Sequence, residues 1–164
     1  MYKKILAAVN EFSNSEGAAR YAIALAKACH AALSLIFVAE ANVNREVFRR
    51  AEAALGRLFM EAEKQDIEVD ISTELGDPFK KIMDAVIKNH FDIVFTATRR
   101  EDVEKRFFQR TLARELMLKL PCSVSMVRIV RMGRVVPKNI LVPLRDRMSN
   151  IEERSWFVAK FAEI

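Results

Sequence analysis

The stretch TATRREDVEKRFFQRTLARE, residues 96–115, holds the side chains best suited to binding chemistry. It leaves an apolar run, DIVF, and enters an amphipathic pattern, so it reads as a strand-to-helix connection. In many α/β proteins such a connection holds a phosphate group, because the first amides of the helix point at the ligand. Glycine normally makes this possible by letting backbone N–H groups close around the anion. Here there is no glycine, and Arg99, Arg100, Lys105, Arg106, Arg110 and Arg114 crowd the segment. Arginine binds phosphate through its planar fork, at about twice the strength of a neutral hydrogen bond. Glu101, Asp102 and Glu104 offer the same arginines partners in a solvated network, worth below about 1 kcal/mol per pair. Three outcomes are open: a self-paired, closed loop; an anion site made of arginine side chains; or an ordinary triphosphate site.

Little else in the chain suggests catalysis. His30 and His90 fall near the ends of expected helices, where the dipole suits them, and neither has a nucleophile or carboxylate at a motif spacing. There is no serine elbow, P-loop lysine or zinc pattern. Ser13, Ser15 and Thr111 fit helix caps. Cys29 and Cys122 are far apart and lack a metal-binding spacing, so both are expected as reduced structural thiols. The expectation is a protein without catalytic residues or metal, hydrolysing ATP slowly if at all.

The elements that must position this segment follow from hydrophobic periodicity. KKILAAV (3–9) is a short buried strand, followed by a helix with Asn14 or Ser15 as N-cap. LSLIFVAE (33–40) is a second strand, and a helix over 45–65 carries Phe48, Ala51, Leu55, Leu58, Phe59 and Ala62 on one stripe. IEVDISTE (67–74) alternates, as an edge strand with one wet face does. Asp77 and Pro78 then open a helix that buries Phe79, Ile82, Met83, Val86 and Ile87. FDIVFTAT (91–98) is apolar throughout and central. Beyond the quoted segment, Phe108, Leu112, Leu116 and Leu120 form a stripe ended by Pro121, and CSVSMVRIV (122–130) is a fifth strand. Met83, Met117 and Met126 fall on core-facing positions. Strand and helix alternating four times before a closing strand predicts a doubly wound parallel sheet with helices on both faces.

The 164 residues suffice for one well-cored domain. No apolar run approaches the roughly 18 residues of a membrane span, and MYKKILAAVNE lacks a signal-peptide pattern, so a cytoplasmic protein is expected. The net charge of +5 sits in one stretch: Arg128, Arg131, Arg134, Lys138, Arg145 and Arg147 against Asp146 alone. That distribution suits a solvated connector and argues against nucleic-acid binding. KNILVPLR (138–145) echoes KKILAAVN (3–10) at an offset of 135 residues, and RSWFVAKFAE follows as a candidate helix. The chain therefore divides into an α/β domain (1–130), a basic connector (131–137) and a segment (138–164) with two readings. It is the start of a second, truncated repeat, or a strand and helix docked on the same domain or on a partner. In the first case Trp156 and Phe157 form an exposed sticky patch.

Taken in order, KKILAAVNEFSNSEGA, Gly76-Asp77-Pro78, DIVFTA and Pro121-Cys122-Ser123-Val124 resemble the universal stress protein family, in a tandem-type arrangement. The resemblance spans nearly all of 1–130, with a restart at 138. It implies a five-stranded parallel sheet ordered 3-2-1-4-5, dimerisation, and in many members an adenine-nucleotide site between the first and fourth strands. Carried over by position, that site takes in Asn10, Val38, Gly76, Ala97, Arg99, Arg100, Arg110 and Thr111. The family's three loop glycines fall on Ala97, Arg100 and Arg110, and its acidic residue after the first strand falls on Asn10. Forcing a side chain into a glycine conformation costs on the order of 1 kcal/mol, and two arginines fill the phosphate space.

Three functions are compatible with this pattern. One is a non-catalytic stress protein acting through dimerisation or an unknown protein partner, with no cofactor. Another is a sensor holding ATP, AMP or another phosphate-bearing anion through arginines. The last is a regulatory domain of a membrane transporter. Pairing of two copies through the fifth strand, or of two repeats within one chain, is expected because an unpaired apolar edge invites association.

Overall fold

The computed structural model describes residues 1–98, 111–129, 139–143 and 149–163. Among these, β1 (Lys4–Ala8), β2 (Ala32–Ala39), β3 (Val69–Leu75), β4 (Ile93–Ala97) and β5 (Ser123–Val127) form one sheet. Its order is β3-β2-β1-β4-β5 and every neighbouring pair is parallel. Helices α1 (Ser13–Cys29), α2 (Arg45–Glu63), α3 (Pro78–Asn89), α4 (Leu112–Lys119) and α5 (Ile151–Ala162) surround it. The expected doubly wound fold is present.

Strand alternation sorts the core into two layers. Ile5, Ala7, Leu33, Leu35, Phe37, Ile93 and Phe95 face α1, α2 and α5, while Leu6, Ile36 and Val94 face α3 and α4. The alanines of α1 do what small residues allow: Ala18, Ala19, Ala22 and Ala26 are almost fully buried, bringing the helix close to the sheet. Gly17 serves the same closeness, since a Cβ there would overlap the Ile129 side chain where the chain leaves β5.

Local signals hold in part. Asp77 caps α3 by accepting from Lys80 N–H at 2.8 Å, with Pro78 in the first turn. Thr111 caps α4 through Arg114 N–H. His30 and His90 end their helices as left-handed C-caps, with φ of 50° and 55°.

Other expectations are corrected. The N-cap of α1 is Phe12, without a side-chain cap bond, so neither Ser13, Asn14 nor Ser15 fills that role. Ile71 and Ile87 are exposed because β3 is an edge strand and Ile87 lies on the outer side of α3. Met117 and Met126 are likewise exposed beside the β5 edge, and Met83 is half-buried. Phe108 lies outside the described residues. Burial raises the pKa of both thiols, that of Cys122 to about 11, so each is a protonated, weak nucleophile at neutral pH.

The C-terminal segment departs furthest from its sequence pattern. Residues 139–143 form no strand and Leu141 is 94% exposed; residues 138, 144 and 145 of the expected strand lie outside the described residues. The helix does form, as α5, and it docks on α1. Trp156 and Phe157 are half-buried rather than an exposed patch, and Phe161 is buried. Tyr2 meets Trp156 edge-on at 5.2 Å, Phe157 stacks on Phe95 at 6.5 Å, and Phe161 lies 4.8 Å from Phe157. Tyr2 Oη donates to Glu153 Oε1 at 2.8 Å, and Ser123 Oγ donates to the same oxygen. Burial first, then that hydrogen bond, raises the Tyr2 pKa. The amphipathic helix thus meets an aromatic face of the first unit.

Candidate functional site

A cleft of about 660 Å³ opens at the C-terminal ends of β1, β2 and β4. The order β3-β2-β1-β4-β5 reverses direction at β1, so the connections leaving β1 and β4 pass to opposite faces and part there. One wall comes from Ala8, Val9 and Asn10, a second from Ile36, Val38 and Glu40, and a third from Thr96 and Ala97. The starts of α3 (Pro78, Ile82) and α4 (Thr111, Leu112, Ala113) complete it. The inner lining is mainly aliphatic, with polar groups at a few points. Among the described lining residues are two carboxylates, Glu11 and Glu40, and no lysine, histidine or cysteine. Among the described residues no serine or threonine hydroxyl of the lining is hydrogen-bonded to Glu11 or Glu40.

The turn after β1 is held by Ser15, which is 2% exposed. Its hydroxyl accepts from Asn10 N–H at 3.0 Å and lies 2.8 Å from Phe12 O and 3.1 Å from Asn10 O, to either of which it can donate its one proton. Asn10 Oδ1 accepts from Phe12 N–H at 3.0 Å. The carboxamide oxygen is thereby committed to the turn, and Nδ2 is the end that can donate to a ligand. This is a different chemistry from the carboxylate expected at that position.

On the β4 side the site is built from the start of α4. The first amides of a helix have no intrahelical acceptor. Thr111 takes up Arg114 N–H, while Leu112 and Ala113 N–H have no partner among the described residues. Both residues line the cleft, so the positive end of the α4 dipole borders it.

Of the residues carried over by position, Asn10, Val38, Ala97 and Thr111 come together here. Gly76 does not: it ends β3 with φ of 135°, and its N–H donates to Ala39 O at 2.9 Å, so it shapes the turn before Asp77. Arg99, Arg100 and Arg110 lie outside the described residues. Sequence reasoning missed Ser15 as the tie of the β1 turn, Glu40 at the cleft wall, and Thr96. The available signal for Thr96 was a single hydroxyl inside the otherwise apolar run DIVFTA.

A second depression of about 500 Å³ lies on the α3 side of β1, β2 and β3, lined by Lys4, Ser34, Asp70, Glu74 and Lys81 among others. One ion pair and one hydrogen bond lie within it: Lys81 Nζ is 3.1 Å from Glu74, and Ser34 Oγ donates to Asp70 Oδ1 at 2.5 Å. Among the described residues no group of three or more His, Cys, Asp or Glu side chains is placed to hold a metal ion. No described helix is long and apolar enough to cross a membrane.

None of the curated proteins searched matches the chain. Solved structures do. The universal stress protein UspA from Lactobacillus plantarum shares 15% identity, with 77% of this chain and 98% of that chain covered and a TM-score of 0.67. An Arabidopsis thaliana universal stress family protein with AMP bound shares 14% identity over 84% of this chain and 97% of its own (TM-score 0.59). The Archaeoglobus fulgidus universal stress protein in complex with dAMP shares 14% over 77% and 97% (TM-score 0.58). At these identities the likeness shows the fold. The model of the universal stress protein family itself matches residues 1–128, and the chain belongs to that family.

Proposed function

We propose that this universal stress protein is a non-catalytic sensor whose cleft holds an adenine nucleoside monophosphate. The observation that carries this reading is the cleft itself: aliphatic walls for a flat heterocycle, with amides at the start of α4 that have no partner among the described residues for one anionic group. Family proteins with AMP, dAMP and cAMP bound give the ligand class. A triphosphate fits less well. The positions that would need glycine are Ala97, Arg100 and Arg110, and a side chain there narrows a backbone cradle. Asn10 supplies an amide where a carboxylate would help hold a metal ion. Ligand binding is thus favoured over the fully closed loop, while Mg-ATP in a glycine cradle is not.

Calorimetric titration tests this. Drug-sized ligands gain about 0.3 kcal/mol per non-hydrogen atom, so AMP, with roughly 23, should bind with a Kd of about 10 μM. Mg-ATP should bind no more tightly than AMP. Binding of Mg-ATP tenfold tighter than AMP, or no heat from AMP at about 1 mM, would overturn the reading.

A second reading, association of two copies along β5, is favoured by the outer edge of that strand. Among the described residues β5 pairs only with β4, and Met126 and Met117 are exposed beside it. Such an edge invites strand pairing. Light scattering on the purified chain should give twice the 18.8 kDa mass; a clean monomer at about 50 μM would count against pairing.

A further inference from the structure

The Thr96 side chain is 4% exposed and lies on the floor of the cleft. Register places it: Thr96 sits opposite Met126 and two residues beyond Val94, hence on the layer that faces α3 and α4. Among the described residues its hydroxyl has no hydrogen-bond partner. Every fully enclosed side-chain nitrogen or oxygen among them does have one. The Thr96 oxygen is therefore open to the cleft while nearly all of the residue is buried.

A hydroxyl that opens into the cleft from an otherwise buried strand residue, with no acceptor among the described residues, is placed to donate to a ligand there. The same layer and the same ends of the strands carry the N–H groups of Leu112 and Ala113, which have no partner among the described residues. Donors on the helix and a rotatable hydroxyl on the strand beneath it face one space, and what three donors share is an acceptor of high charge density. We infer that Thr96 is a specificity-determining residue: its hydroxyl donates to an oxygen of the ligand's phosphate alongside the first amides of α4. This rests on the monophosphate reading given above. It also fits the loss of loop glycines, because a side-chain hydroxyl on a rigid strand supplies a donor that needs no special backbone conformation.

Calorimetry with AMP and with adenosine separates the possibilities, using the wild-type chain, Thr96→Val and Thr96→Ser. Valine keeps the shape and removes only the hydroxyl, so the melting temperature should not fall. The expected result is AMP binding weakened about 10- to 100-fold in Thr96→Val, adenosine binding unchanged, and AMP binding largely retained in Thr96→Ser. Wild-type AMP affinity in Thr96→Val overturns this inference and leaves the monophosphate reading standing. Equal losses for AMP and adenosine overturn it too, since the hydroxyl would then read the nucleoside. A clearly lowered melting temperature in Thr96→Val means a structural role and also overturns it. No AMP binding by the wild type overturns both readings together.

Discussion

Replacing Phe95 with alanine should lower the stability of the fold by about 3–5 kcal/mol. The residue is 1% exposed, lies in β4 between β1 and β5, and stacks on Phe157 of α5. The loss combines two effects: transfer of a large apolar group into water, and a cavity that a parallel sheet pinned on both sides cannot close. Pairing of Ala97 with Val127 and of Phe95 with Ala7 fixes β4 in place, so its neighbours have little room to collapse. Domain stabilities run at about 5–15 kcal/mol, so the variant should melt far below the wild type or fail to fold at 37 °C. Denaturant titration with an unchanged m-value would assign the loss to packing, and a cost below about 1 kcal/mol would show that β4 is not the core strand described here.

Phe161→Ala tests the docking of the C-terminal helix, with an expected cost of about 3 kcal/mol. Phe161 is 8% exposed, tilted against Tyr21 at 5.9 Å and against Phe157 at 4.8 Å. If α5 rests on the first unit, this change must destabilise the whole domain in one cooperative transition. The polar node linking Tyr2, Ser123 and Glu153 would then be strained by the loosened helix, adding to the cost. Leu141→Ala is the matched control: at 94% exposure it should change stability by less than about 0.5 kcal/mol. Equal, small effects of the two substitutions would mean that α5 does not dock.

How far the sequence reached depends on the range of the forces involved. The strands, the helices and the parallel sheet were legible, because strand and helix periods are local and βαβ crossovers have one hand, while the strand order came from the family resemblance. Asp77 and Thr111 were legible for the same reason, as caps accepting from N–H groups three residues on, and Pro78 as a first-turn residue. Ser15 was not. It matched the composition of a cap, but Phe12 holds the cap position and the buried hydroxyl turns back to Asn10 and Phe12. Met126 and Met117 misled because periodicity says which face a residue occupies and not whether another layer covers it. The docking of α5 depends on Tyr2, some 150 residues away, and no local pattern encodes that distance.

In the candidate site the sequence indicated the position of the cleft better than its donors. Asn10, Val38, Ala97 and Thr111 do converge. Thr96 was not legible, because its meaning comes from a nearly buried residue whose hydroxyl opens into the cleft with no partner among the described residues, a property of the fold. The Gly-Asp-Pro motif carries Gly76 into the family's site by position, yet here its positive φ serves the turn that sets up α3.

Amide chemical-shift mapping with AMP tests the central claim most directly. If the cleft holds the nucleotide, the largest shifts should fall together on Asn10, Val38, Thr96, Ala97, Leu112 and Ala113, the residues that wall it. Lys4, Ser34 and Asp70, which line the second depression on the sheet's α3 side, should stay still. Shifts concentrated there, or none at saturating AMP, would contradict the account.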